Sequence, residues 1–343
     1  MLMLETLVFR FDASQKIGLG HAYRCMALIE KINVDRLFSV VVLSKKLPSF
    51  LIEKLQGFNA KVHLLDTCLN VVQEIQAIDA LCQQSSCRSI ILDGYQFDEL
   101  YRKTLSSLGL HITCFDDVNE LDGLHCDLVI NALPFAHSLG YEKSAPIATQ
   151  LLGLPYSIIR QEFIEASMVK YSNRYSILVN FGGSDVLNFT ISMIKYLMDS
   201  ELVEKYEIII VTGGAFDKRD EVQKLCLTAG FEHIHNCNEM STVINKCKLA
   251  ICAPGSIVYE LAYCAVPSVF ITVADNQLLS AKAHQTLGWC DVIDGQEKNA
   301  LQQAIKVAEL LCDDVIKLEE RSVKASSLVD GQGVERIINA LVH

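Results

Sequence analysis

Twice along this chain a short run of apolar and β-branched residues breaks off into a glycine-rich turn and then into a segment of helical period. Thr6 to Phe11 leads into Ile17-Gly18-Leu19-Gly20-His21, and Ser176 to Asn180 leads into Phe181-Gly182-Gly183-Ser184-Asp185. Glycine at a strand-to-helix turn permits positive φ and lets a ligand approach the N–H groups at a helix N-terminus. Either loop alone is also what a plain tight turn requires. Two in one chain, each opening a half, narrow the choice to a parallel α/β architecture.

The rest of the pattern agrees. Candidate strands in the first half are Thr6 to Phe11, Phe38 to Leu43, Val62 to Leu65, Ser89 to Leu92, His111 to Phe115 and Leu128 to Ile130. In the second half they are Ser176 to Asn180, Glu207 to Val211, His233 to His235, Leu249 to Cys252 and Ser268 to Thr272. Between the first two strands Ala22, Cys25, Met26, Ile29 and Ile32 keep helical spacing, and Asp79 to Cys87 and Phe97 to Leu108 read as further helices. Gln161 to Asn173 is polar at most positions, so 343 residues divide into domains 1–165 and 166–343. The expected fold is two Rossmann-like parallel-sheet domains facing an interdomain cleft.

Charge and cysteine content exclude several partners. The net charge of −11 argues against a nucleic-acid or anionic-membrane surface, which rewards clustered Lys and Arg. It leaves room for one small anion held by backbone N–H groups. The longest stretch without a charge, Ser144 to Ile159, is broken by Pro146, Gly153 and Pro155, so no membrane span is expected. Thirteen cysteines in apolar contexts, with no C-x-x-C spacing, read as reduced core residues of a cytoplasmic protein.

Three groups of residues could carry chemistry. His21 follows Gly18-x-Gly20 at a helix start, where the dipole favours the neutral imidazole and hence a general base; a histidine that merely begins a helix fits the same position. Arg10, Asp12, Ser14 and Arg24 crowd the same turn. Glu260 is the only charged residue from Leu249 through Ala274, one turn beyond the candidate N-cap Ser256. A lone carboxylate there needs a hydrogen-bonding partner, either a vicinal diol such as ribose or a group of the protein. Ala274-Asp275-Asn276-Gln277 brings polar groups to the end of a strand, for a ligand or for a helix cap. Asp93-Gly94-Tyr95 ends another strand, Gly213-Gly214 is a second close-approach point or a turn, and His284 and Trp289 line the cleft or pack. Asp116 and Asp117, adjacent on an extended chain, are expected to point apart in a solvated turn.

Taken together, these motifs resemble a known family. Phe11-Asp12-Ala13-Ser14-x-x-Ile17-Gly18-x-Gly20-His21-x-x-Arg24-Cys25 is similar to the N-terminal motif of the PseG nucleotide-sugar hydrolases. Further similarity follows in order at Leu92-Asp93-Gly94-Tyr95, Phe115-Asp116-Asp117, Leu152-Gly153-x-x-Tyr156-x-x-Ile159-Arg160, Val179-Asn180-Phe181-Gly182-Gly183-Ser184-Asp185 and Ala274-Asp275-Asn276-Gln277. The resemblance implies a GT-B fold related to the MurG-type glycosyltransferases. It also implies release of UDP from UDP-2,4-diacetamido-2,4,6-trideoxy-β-L-altrose during pseudaminic acid synthesis, by inverting attack of water without metal or cofactor. It makes His21 the base or water-orienting group and Tyr95 its auxiliary, with Gly20 and Arg24 as substrate-binding candidates beside them. Gly182, Gly183, Ser184, Gly255 and Ser256 would meet the pyrophosphate, Glu260 the ribose, and Asn276 and Gln277 the sugar. The chain departs from the family at Ala253-Pro254-Gly255-Ser256-Ile257, where Pro254 removes a backbone donor and Ile257 a hydroxyl. The rivals are a glycosyltransferase with a UDP-sugar donor, in which His21 deprotonates a sugar hydroxyl, and a non-catalytic nucleotide-sugar-binding protein.

Overall fold

The computed structural model describes residues 4–14 and 17–342, without the side chain of Asn276. The chain forms two compact units: one runs to Gln161 and takes in the segment from Gln332 onward, and the other is Glu162–Gly331. This differs from the expected division into 1–165 and 166–343 in two ways. The second unit begins at Glu162, and the helix Gly333–Val342 is part of the first. That helix buries Val334, Ile337 and Ile338, and Arg336 NH1 donates to the Pro155 carbonyl at 2.8 Å. A chain that crosses back for its last helix leaves no trace in a boundary read from composition.

The first unit holds seven parallel strands: β1 (Thr6–Phe11), β2 (Ser39–Ser44), β3 (Lys61–Leu64), β4 (Cys87–Asp93), β5 (His111–Phe115), β6 (Leu128–Asn131) and β7 (Thr149–Leu152), in the order 3-2-1-4-5-6-7. The second unit has six: β8 (Ser176–Asn180), β9 (Glu207–Thr212), β10 (Glu232–His235), β11 (Cys247–Cys252), β12 (Ser268–Ile271) and β13 (Cys290–Ile293), in the order 10-9-8-11-12-13. Both sheets reverse direction of growth between their first and fourth strands, β1 beside β4 and β8 beside β11. In an open parallel sheet the loops after those two strands part, and the crevice between them is where ligands bind. Both glycine loops sit at such a point.

Strands buried on both faces are near-continuously apolar; β1 is buried at all six positions, and its one charge, Arg10, is paired with Asp12 and Glu74. The two strands the sequence does not announce, β7 and β13, are the outermost of their sheets. Each is four residues long and carries polar residues, Thr149 and Gln150 in the one and Asp291 in the other, because an edge strand is covered incompletely. The helix expected over 79–87 starts earlier, at Val71, where Asn70 and Gln73 form a reciprocal capping box; Cys87 already belongs to β4.

In the second unit Ile177, Val179, Ile210, Leu249 and Ile251 of the sheet meet Ala304, Ile305, Ala308 and Leu311 of the helix Ala300–Asp313. Each fully buried Ile or Leu there contributes about 1.5–3 kcal/mol. His284 and Trp289 pack in this unit, 1% and 0% exposed, with ring centroids 5.8 Å apart. Among the described residues the cysteines form no disulfide, and all but Cys68 and Cys237 are buried. Among the same residues no helix is long and apolar enough to cross a membrane.

Candidate active site

In the first unit the loop after β1 turns into the helix Gly20–Val34, whose N-terminus has neither a side-chain cap nor an acidic residue in its first turn. Gly20 is its first residue and His21 its second. The imidazole is 9% exposed, and its Nδ1 lies 2.6 Å from Oδ1 of Asp93, the fully buried last residue of β4. Pairing β1 with β4 sets Phe11 opposite Asp93 and so brings these two loops together.

Arg24, one helical turn on, donates from Nε to Asp93 Oδ2 at 2.5 Å and from NH2 to Oδ1 at 2.5 Å. From NH1 it reaches both oxygens of Asp117, at 2.9 and 3.0 Å, and its guanidinium lies 4.7 Å over the Phe115 ring. The substrate-binding candidate Arg24 is thus turned to two carboxylates of its own unit. Burial pushes the Asp93 carboxyl up, and the charge of Arg24 together with the hydrogen bonds from Arg24 and His21 more than reverses this, holding it down to about 2. Tyr95 is 55% exposed, stands edge-on to His21 at 5.1 Å and donates its hydroxyl to Asp117 Oδ2 at 3.3 Å.

Asp116 and Asp117 do point apart, but the expected solvated turn is corrected. Asp116 is buried and accepts from Tyr141 OH at 2.7 Å and Asn119 N–H at 2.7 Å, while Asp117 faces Arg24. Beneath the His21 loop, Arg10 donates to Asp12 and Glu74, both at 2.8 Å, and Lys45 Nζ lies 2.6 Å from Glu74. Asp12 also accepts the Lys45 N–H at 2.6 Å and Gln96 Nε2 at 3.1 Å. This buried net of balanced charge ties the ends of β1, β2 and β4 and holds the His21 loop in place.

The corresponding crevice of the second unit is built differently. Asn180, at the end of β8, donates from Nδ2 to the Val211 carbonyl at 2.9 Å and accepts the Gly182 N–H at 3.2 Å. Gly182 then turns with φ +83°, which a residue with a Cβ adopts only at a cost. The next glycine touches the loop after β9: a Cβ on Gly213 would lie 2.4 Å from Gly183 Cα, so Gly213 is a close approach between two backbones. Asp185 is turned into the helix that follows it. It accepts the N–H groups of Phe189 and Thr190 at 2.9 and 2.8 Å at the start of the next helix, and burial raises its carboxyl. Among the described residues the N–H groups of Gly183 and Ser184 have no hydrogen-bond partner in the protein.

On the β11 side, Ala253 N–H donates to the Asn180 carbonyl at 2.9 Å, placing Ala253-Pro254-Gly255-Ser256 beside the glycine loop. Ser256 is the N-cap of the helix Ile257–Tyr263, as expected, but its hydroxyl makes no capping bond, its own φ and ψ being already helical. Glu260 is buried in the first turn of that helix. Gln277 spends its side-chain oxygen on the Val273 N–H at 2.8 Å, and Asp275 accepts from Gln296 at 2.6 Å. The side chain of Asn276 lies outside the described residues. Asp93 stands in the Asp93-Gly94-Tyr95 motif, but the motif gives it no role of its own. Its signal is a charge at the end of a buried apolar strand at the switch point; its partners His21 and Arg24 are 72 and 69 residues away.

No family model matches the chain. It is 24% identical over 274 residues to an uncharacterized protein of Methanocaldococcus jannaschii, covering 76% of this chain and 54% of that one. It is 24% identical over 263 residues to the UDP-2,4-diacetamido-2,4,6-trideoxy-beta-L-altropyranose hydrolase of Campylobacter jejuni, covering 74% of this chain and 86% of the relative. The chain therefore spans about half the length of the first relative and most of the second. Among solved structures it is similar to Acinetobacter baumannii MurG, with TM-score 0.69, 14% identity and coverage of 98% and 99% of the two chains. It is also similar to the Neisseria meningitidis UDP-GlcNAc 2-epimerase bound to UDP-GlcNAc, with TM-score 0.67, 12% identity and coverage of 98% and 99%. The fold is of the GT-B type, two Rossmann-like parallel-sheet units.

Proposed function

We propose that the protein hydrolyses a UDP-linked 2,4-diacetamido-2,4,6-trideoxy sugar to UDP and the free sugar, the activity for which the Campylobacter jejuni relative is named, in pseudaminic acid biosynthesis. The observation that carries the reading is His21, set at an uncapped helix N-terminus with Nδ1 against a buried carboxylate. One nitrogen is anchored and the other is available as a base.

In this reading a water oxygen attacks the anomeric carbon opposite the diphosphate. The C–O bond to UDP breaks, its electron pair leaves on the β-phosphate oxygen, and the water proton passes to His21 Nε2. UDP is a good leaving group, so the demands are an oriented water, a base and dipoles toward the leaving phosphate. Tyr95 supplies an exposed ring beside the base. The N–H groups of Gly183 and Ser184 and the loop at Gly255 and Ser256 take the diphosphate, and Glu260 takes the ribose. A single base suffices, unlike the carboxylate pair of glycosidases.

The test is UDP release from the UDP-sugar with no acceptor added, with proton NMR of the anomer first formed. Free sugar of inverted configuration supports the reading. Turnover that requires an added sugar acceptor replaces it with a transferase, and tight binding without turnover replaces it with a binding protein.

A further inference from the structure

We propose that Asp93 is the positioning residue of the site: it holds the Nδ1 proton of His21, so that Nε2 carries the lone pair, and Arg24 with Asp117 fixes Asp93 for that task. This rests on the reading of His21 as the base. A carboxylate oxygen has no proton to give, and at 2.6 Å from Asp93 Oδ1 the imidazole Nδ1 must be the donor. Arg24 NH2 also lies 3.2 Å from Nδ1, but two donors cannot share a bond, so that contact leaves the tautomer to Asp93.

The carboxylate has no freedom to turn away. Asp93 is fully buried; Oδ1 faces His21 and Arg24 NH2, and Oδ2 faces Arg24 Nε and the Cys25 thiol at 3.5 Å. Arg24 is tied on its far side to both oxygens of Asp117, and Asp117 accepts from Tyr95, whose ring stands against His21. The chain of contacts His21, Asp93, Arg24, Asp117, Tyr95 therefore closes on itself. It draws on the loops after β1, β4 and β5. Two carboxylates and one guanidinium leave this ring with one net negative charge, and a proton arriving on Nε2 takes it to zero. A strand-end ion pair would need only Asp93 and Arg24. The closed ring also sets the direction of the imidazole, which is what a base acting on one water requires.

The experiment is 15N NMR of the neutral His21 imidazole in the full chain, assigned by loss of its signals in H21Q, together with kinetics of D93N and D117N. Expected are the Nδ1-protonated tautomer in the wild type and loss of that signature in D93N. D93N should lower kcat about 10²- to 10⁴-fold with little change in KM, and D117N should have a smaller effect on both kcat and the tautomer signal. A wild-type imidazole protonated on Nε2, or a folded D93N with unchanged tautomer and kcat, overturns the proposal. The wild-type spectrum decides even if D93N does not fold. If the tautomer is as expected but no UDP-sugar is turned over, Asp93 keeps its place and the hydrolase reading fails.

Discussion

The first unit's own crevice, at the ends of β1 and β4, carries charged and titratable side chains, His21, Arg24, Asp93 and Asp117, whereas the second unit's, at the ends of β8 and β11, carries Gly182, Gly183, Ser184, Ala253, Pro254, Gly255 and Ser256. The two sheets share strand order up to the sixth strand and the same switch point. Topology therefore fixes where a ligand meets each unit, and loop residues decide what is done there. In the proposed reading the first unit works with side chains whose protonation and direction matter. In the same reading the second offers backbone dipoles, and Asp185, next to its glycine loop, is turned into its own helix.

The largest effect that could break this contrast is on turnover. Replacing His21 with Gln keeps a side chain that can hydrogen-bond and removes the base, and is expected to lower kcat about 10²- to 10⁴-fold in the UDP-release assay. Unchanged turnover would move the chemistry elsewhere. Next comes Arg24→Met, which leaves Asp93 and Asp117 buried or half-buried without their shared cation. Its expected cost is about 3–5 kcal/mol in denaturant unfolding, confined to the first unit.

Acid should separate the units in the opposite sense. In the second unit both ring nitrogens of buried His284 lack a hydrogen-bond partner among the described residues, and burial holds it down to about 4. The unfolded chain binds that proton first, at a pKa of about 6.5, so stability falls as pH drops from about 6.5 to about 4, by about 3 kcal/mol, and then levels. Asp93, held down to about 2, gives the first unit stability that persists to lower pH and is lost from about 4 toward 2. Thermal unfolding against pH in wild type and His284→Phe checks this; a variant with the same loss between pH 6.5 and 4 refutes it. The smallest effect is Ser184→Ala, expected to weaken UDP binding by about 1 kcal/mol through its hydroxyl, with kcat little changed.

The sequence made the two glycine loops legible because a strand, a turn and a helix start leave local signatures. His21 was visible for the same reason. Asp93 was visible as a motif residue but its role was not, since that role depends on a salt bridge and a histidine about seventy residues upstream, a pairing set by β1 lying against β4. Asp117 was masked by its neighbour: two adjacent acids look like a solvated turn until Arg24 is placed beside one and Tyr141 beside the other. β7 and β13 escaped because edge strands need not be apolar, and the return of Gly333–Val342 to the first unit is a tertiary fact. Ser256 shows the converse: the cap position was legible, but not that a backbone already helical there leaves its hydroxyl without a capping bond.

The division of labour itself is tested most directly by calorimetric titration of UDP into the wild type, His21→Gln and Gly182→Val. The account predicts that His21→Gln keeps the wild-type affinity within about twofold, while Gly182→Val, forced off a φ of +83°, loses at least about tenfold. Loss of UDP affinity in His21→Gln, or its retention in Gly182→Val, would contradict it.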